Sequence, residues 1–205
     1  MNTEQSIKLC YKKKYLEKIK NEVKINLNFK SFLQALYNAC KNLYLEIVKW
    51  LLKIKSYINI SIDIENRFYN ACHNGHLKVA KWLLKIKPDI NISINDEYVF
   101  CNACENGHLE VAKWLLKIKP DINISIRDEY AFHVACENGH LEVAQWLLEI
   151  KPNINISIKR EYAFRYSCIN GHLEVAKWLL KIKPDINILI NDEQSFCDAC
   201  LNGYL

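Results

Sequence analysis

Residues 97–128 read EYVFCNACENGHLEVAKWLLKIKPDINISIRD, and most positions in that stretch have a counterpart 32 residues away on either side. Trp114 recurs as Trp50, Trp82, Trp146 and Trp178, and Cys104 as Cys40, Cys72, Cys136, Cys168 and Cys200. Gly107 recurs as Gly75, Gly139, Gly171 and Gly203. A fixed period of this length marks an array of small supersecondary units. The 205-residue chain therefore divides into an N-terminal arm (1–32), five full repeats (33–64, 65–96, 97–128, 129–160 and 161–192) and a truncated sixth unit (193–205).

Each unit reads as two helices broken at Asn-Gly. The first spans about Glu97 to Glu105, with Asp96 at the N-cap and Glu97 suited to the positive end of the helix dipole. Asn106-Gly107 supplies the left-handed residue that ends it. Phe100, Ala103, Cys104 and Gly107 fall at i, i+3, i+4 and i+7, one narrow apolar stripe. The second helix runs from Leu109 to about Ile118, and only Glu110, Lys113 and Lys117 interrupt its apolar surface. A helix apolar nearly all round must be packed on several sides. Lys119-Pro120 stops it, because the residue before proline is pushed out of the α region. Ile122 to Arg127 then alternates with a period of two, which predicts a short extended finger. One unit cannot bury this surface alone, but a stack can. The predicted fold is mainly α, a helical solenoid with short extended, β-like fingers.

Half of the chain is apolar, which excludes a mainly disordered protein. No stretch approaches the roughly 18–20 apolar residues needed to span a bilayer, and the polar start Met1-Asn2-Thr3-Glu4-Gln5 shows no secretory signal. Six of the nine cysteines are copies of one position. Equivalent residues in stacked helices lie about 8–10 Å apart, beyond the roughly 7 Å reach of a disulfide. Buried thiols in a reducing, intracellular compartment fit better.

The stretch FHVACENGHLEVAQWLLEIKPNIN, Phe132 to Asn155, resembles the ankyrin repeat. That family's pattern runs Thr-Pro-Leu-His, two helical alanines, Gly-His-Leu-Glu-Val-Val, a Leu-rich helix and Gly-Ala-Asp-Val-Asn. Gly139-His140-Leu141-Glu142-Val143 matches literally, as do Gly107–Val111 and Gly171–Val175, while Gly75–Val79 differs only at Lys78. The resemblance covers roughly residues 33–205. Thr-Pro is replaced by pairs such as Tyr98-Val99 and Tyr130-Ala131, and only His133 keeps the histidine of the tetrapeptide. The family's Gly-Ala becomes Lys-Pro, which predicts a different finger geometry. The variant Lys-Pro-Asp-Ile-Asn-Ile-Ser looks like the ankyrin proteins of amoeba-infecting giant DNA viruses, the mimivirus group. Isoleucine, lysine and asparagine make up about a third of the chain, and Lys outnumbers Arg 24 to 4, as AT-rich coding favours in viral and in some cellular genomes.

The resemblance implies a protein-binding scaffold that uses its fingers and the exposed face of its first helices. Differences among the repeats point to the same surface. The second helix barely changes, whereas variation gathers at four first-helix positions, for example Tyr98, Cys101, Asn102 and Glu105, and at finger tips such as Arg127-Asp128 and Lys159-Arg160. The candidate partner-binding residues are Tyr69, Tyr98, Asn102, Arg127, Tyr130, His133, Arg160, Tyr162, Arg165 and Tyr166, since aromatics and arginine dominate interface energies. Drift at solvent-exposed positions is the competing account, and it is the commoner one for any single residue.

Residues 1–30 hold eight lysines and three glutamates, while residues 31–205 hold 20 basic and 20 acidic side chains. The charge excess is thus confined to the arm, which reads as a capping helix with solvated lysines rather than a patch for membrane or nucleic acid. The second-helix lysines, with glutamates three residues ahead, are placed for weak helical ion pairs. Cys101-x-x-Cys104 with His108, and Cys197-x-x-Cys200, do not assemble the four converging ligands of a structural zinc site. Cys101 is assigned to the exposed face. No phosphate loop, nucleophile elbow or separable triad is present, and His133 beside Cys136 is one turn of helix with the thiol in core register. The sequence therefore predicts a non-enzymatic scaffold with no cofactor, metal or small-molecule substrate, and a protein partner (a host protein if the chain is viral). The alternative is a truncated or degenerate repeat paralogue without a dedicated partner. The sixth unit stops where its second helix would begin, so further repeats, a partner or a second copy of the chain would cover that end.

Overall fold

The short first helices owe their place to one stripe of side chains. In the computed structural model, which describes residues 61–187 (without the side chains of 61–63 and 94–96), Phe68, Phe100 and Phe132 are fully buried. So are Ala71, Ala103 and Ala135, and with them Cys72, Cys104 and Cys136. Removing one phenylalanine from water contributes about 1.5–3 kcal/mol, which is what fixes the rotation of a helix this short. The arm 1–32, nearly all of the repeat 33–64, and the unit 193–205 with Cys197 and Cys200 lie outside the described residues.

Among the described residues eight helices follow in pairs: α1 (Ser61–His73) and α2 (Leu77–Ile86), α3 (Ile94–Glu105) and α4 (Leu109–Ile118), α5 (Ile126–Glu137) and α6 (Leu141–Ile150), α7 (Ile158–Ile169) and α8 (Leu173–Ile182). The fold is a mainly helical repeat solenoid, and no strand occurs among the described residues. They form two compact units, 61–71 with 76–90 and 72–75 with 91–187. Within the second unit each first helix lies on its own second helix and on the neighbouring first helices, α3 on α4 and α5, α5 on α6 and α7, α7 on α8. Phe100 meets Trp146 and Phe132 meets Trp178, each with ring centroids 6.3 Å apart, so one repeat's core phenylalanine is covered by the next repeat's tryptophan.

The break between helices is a left-handed glycine. Gly107 has φ +72°; its N–H bonds the Cys104 carbonyl at 3.1 Å, and the His108 N–H reaches back to the Ala103 carbonyl at 2.8 Å. That pair of bonds satisfies carbonyls the helix end would otherwise orphan. The second helix starts at Leu109 and stops at Ile118, where the Lys119 N–H bonds the Leu115 carbonyl. Its cover is less complete than its composition predicts. Val111, Ala112 and Leu115 are buried, Trp114 and Leu116 are half-buried, and Ile118 is 38% exposed. On its outer side Lys113 and Glu110 lie 4.0 Å apart and Lys177 and Glu174 3.2 Å apart, exposed pairs worth a few tenths of a kcal/mol.

The fingers differ from the predicted extended form. Ile122 and Asn123 have no regular structure, Ile124 and Ser125 turn, and Arg127, Asp128 and Glu129 then take φ of 52°, 60° and 62°, a left-handed turn ahead of the regular helix. Lys159, Arg160 and Glu161 repeat it, and Glu97 has φ 61°. Each such non-glycine residue costs about 1–2 kcal/mol. Local bonds oppose that cost: the Ile126 N–H bonds the Asn123 carbonyl at 3.1 Å and the Glu129 N–H the Ser125 carbonyl at 3.3 Å. Asp128, which stands 32 residues after the expected N-cap Asp96, faces Lys159 at 3.5 Å. The glutamate assigned to the helix dipole is buried at all three positions, Glu97, Glu129 and Glu161.

Candidate functional site

On the last two described repeats the variable first-helix positions build one continuous stack. The Tyr162 and Tyr166 rings lie one turn apart on α7 and stack at 4.2 Å, with the Arg165 guanidinium 5.7 Å from the Tyr166 centroid. Arg165 also directs Nη1 to the Arg160 carbonyl at 3.4 Å, which ties the helix to its finger. On the other side Tyr162 faces the His133 ring of α5 at 5.3 Å. The Tyr162 hydroxyl donates to Glu137 Oε2 at 2.7 Å, and Asn170 Nδ2 donates to the Glu137 carbonyl at 2.8 Å. Burial, reinforced by the Glu137 carboxylate, pushes the Tyr162 hydroxyl well above the usual tyrosine range. It therefore stays a neutral donor.

The ten candidate residues do not share one environment. Tyr98 is 49% exposed, Arg127 and Arg160 are exposed, and Tyr130, Tyr162, Arg165 and Tyr166 are half-buried. Tyr69 is half-buried in the first unit. His133 is only 2% exposed and Asn102 8%, so neither offers its side chain to the surface. Burial holds the His133 imidazole near a pKa of about 4, with Lys159 adding to the effect and Asp128 opposing it, so the ring is neutral at pH 7. Asn102 donates from Nδ2 to the Tyr98 carbonyl at 2.8 Å, and its Oδ1 lies 3.3 Å from His73 Nδ1. Cys101, predicted on the exposed face, is buried, and its thiol is pushed up to about 12. The adjacent first helices cover these positions.

Beneath the fingers lies a group of side chains that recurs along the array, although Leu189 stands at the serine's place in the repeat 161–192. Ser93, Ser125 and Ser157 each precede a buried glutamate by four residues, Glu97, Glu129 and Glu161, and the lysine of each Lys-Pro pair follows at Lys119, Lys151 and Lys183 (Lys-Pro here at 119–120, 151–152 and 183–184). Ser125 Oγ donates to Glu129 Oε2 at 2.6 Å while accepting from Lys151 Nζ. In the sequence this group shows as a glutamate and a lysine that recur every 32 residues, whereas candidate binding residues are marked by variation.

Among the described residues no group of three or more His, Cys, Asp or Glu side chains is placed to hold a metal ion. No described helix is long and apolar enough to cross a membrane. A family model described as ankyrin repeats (3 copies) matches residues 100–192, and one described as ankyrin repeats (many copies) matches residues 68–116. A comparison with curated proteins finds no match. Ankyrin repeats are generally protein–protein interaction modules and typically non-catalytic scaffolds. Residues 68–192, more than half of the chain, are ankyrin repeats, and the chain belongs to the ankyrin-repeat family.

Proposed function

We propose that the chain is a non-catalytic interaction scaffold that holds a protein partner on the first-helix and finger face of repeats 129–160 and 161–192. The observation that carries this reading is the Tyr162–Tyr166–Arg165 stack, tied through Arg165 to the Arg160 finger. Large aromatic and guanidinium groups held in one geometry lose little entropy on binding. Such groups are enriched among residues that dominate interface energies. Tyr130, Arg160, Tyr162, Arg165 and Tyr166 are the contact residues, with His133 supporting them from below; Tyr98 and Arg127, with Asn102 beneath, continue the face onto repeat 97–128. The resemblance to ankyrin proteins of giant viruses supports a host protein as partner, and the buried thiols fit a reducing compartment.

The test is capture of partners from amoebal lysate on the immobilised chain, followed by affinity measurement on the captured protein. Arg160→Ala and Tyr166→Ala should each weaken binding by about thirtyfold, the equivalent of about 2 kcal/mol. Lys113→Ala and Lys177→Ala, on the outer side of the second helices, should change it less than about twofold. Equal affinity across all four variants would remove the assignment.

A further inference from the structure

The recurring serine, glutamate and lysine beneath the fingers adopt different arrangements in successive repeats. Around Glu129 the chain is complete, with Lys151 Nζ donating to Ser125 Oγ and Ser125 Oγ to Glu129 Oε2. In the first unit Lys87 Nζ reaches Glu65 Oε1 directly. Around Glu97 the serine still donates, Ser93 Oγ to Glu97 Oε2 at 2.7 Å, but Lys119 lies on Asp121 at 3.0 Å. Around Glu161 the group is broken. Lys183 lies on Asp185 at 3.2 Å, and Ser157 Oγ and Glu161 Oε2, both buried, have no hydrogen-bond partner.

A carboxylate with 7–9% exposure, as at Glu161, Glu97 and Glu129, is costly unless a donor or cation meets it. Wherever a cation meets this group it is the lysine of the Lys-Pro pair. The competing acceptor stands two residues further on, at the exposed Asp121 and Asp185. In the repeat where the lysine reaches the serine, Asn153 stands at that place. Asp89 stands beside Lys87, which still pairs with Glu65, so the aspartate competes without dictating. Both arrangements are thus open to one and the same local sequence.

We propose that each finger is held by a lysine latch. The ammonium of Lys119, Lys151 or Lys183 exchanges between the buried Ser-Glu pair, closed, and the exposed residue at 121, 153 or 185, open. Asparagine at 153 holds the fourth repeat's latch closed. The left-handed turns that carry Arg127-Asp128 and Lys159-Arg160 form in both arrangements; the closed latch ties the base of each turn to the end of a second helix and slows its opening, which makes Lys151 and Lys183 positioning residues for those tips. That consequence rests on the proposed binding face; the latch itself does not.

Amide hydrogen exchange by NMR on the full chain tests the latch without a partner. The reporters are the Glu161 N–H, bonded to the Ser157 carbonyl at 3.2 Å, and the Glu129 N–H, bonded to the Ser125 carbonyl at 3.3 Å. Asp185→Asn should slow Glu161 exchange by about tenfold, the scale of one charge-assisted hydrogen bond, and Asn153→Asp should speed Glu129 exchange by about as much. Lys183→Met and Lys151→Met should abolish the respective effects, while the core Ala144 amide, bonded to the His140 carbonyl, keeps its rate. An unchanged Glu161 rate in Asp185→Asn would overturn the proposal. So would slowing that survives in the Asp185→Asn/Lys183→Met double variant, or that appears equally at Ala144. Loss of partner affinity on Arg160→Ala bears on the binding face alone, so the two readings fail separately.

Discussion

Gly107→Ala perturbs the contact between two repeats at a single carbon. Gly107 has φ +72°, and a Cβ built there would lie 2.5 Å from His140 Nδ1, 2.7 Å from its Cε1 and 2.8 Å from its Cγ. Two costs follow. The left-handed backbone disfavours alanine by about 1–2 kcal/mol. The obstacle is the body of an imidazole ring, which must move as a whole. That ring also donates a hydrogen bond to the Glu105 carbonyl, and losing the bond costs about 0.5–1.5 kcal/mol more. The expected destabilisation is about 1.5–3.5 kcal/mol, a large share of the roughly 5–15 kcal/mol that holds an ordinary domain together. Because a repeat array depends on nearest-neighbour interfaces, the unfolding transition should also broaden. Urea denaturation followed by circular dichroism measures both effects. The second background is His140→Ala, where the steric part disappears and Gly107→Ala should cost only about 1–2 kcal/mol. Equal costs in the two backgrounds would refute the inter-repeat contact, and a cost below about 0.5 kcal/mol in both would refute the left-handed turn as well.

Acid should weaken the array through His133. Its folded pKa of about 4 lies below the ordinary 6.5, so its contribution is fully present above pH 6.5 and is lost as pH falls toward 4. The shift corresponds to at most about 3 kcal/mol, and His140, held low mainly by burial, acts in the same direction. Denaturation curves between pH 4 and pH 7 should flatten in His133→Phe; identical pH dependence in variant and parent would show that His133 is not the group responsible. Pulsed alkylation with peptide mapping should label Cys168, which is half-buried, ahead of Cys72, Cys101, Cys104 and Cys136, which are buried and whose thiols burial pushes up. Rapid native labelling of Cys101 would restore it to the surface, where its sequence position alone had put it.

Local chemistry determined much of this protein before any packing. The 32-residue period set the architecture, Asn-Gly set the break between helices, and Lys-Pro set the end of the second helix, because each acts through backbone geometry within a few residues. The Phe100, Ala103, Cys104 stripe belongs with them, since a narrow apolar face on a short helix has one way to be buried. The finger was misread because Ile-Asn-Ile-Ser-Ile has the same period of two whether the chain extends or turns. The left-handed turn leads into a buried glutamate, and at Glu129 the partners are the serine before it and, through that serine, a lysine beyond the second helix, contacts that no period along the chain records. The candidate face was misjudged for a related reason. Nothing within one repeat requires Cys101, Asn102 or His133 to be covered, so their variation read as exposure. Only the close approach of α3, α5 and α7 buries them, leaving the tyrosines and arginines at the surface. The sequence determined the repeating unit; which variable residues reach water depended on one repeat lying against the next, a distance that no period along the chain records.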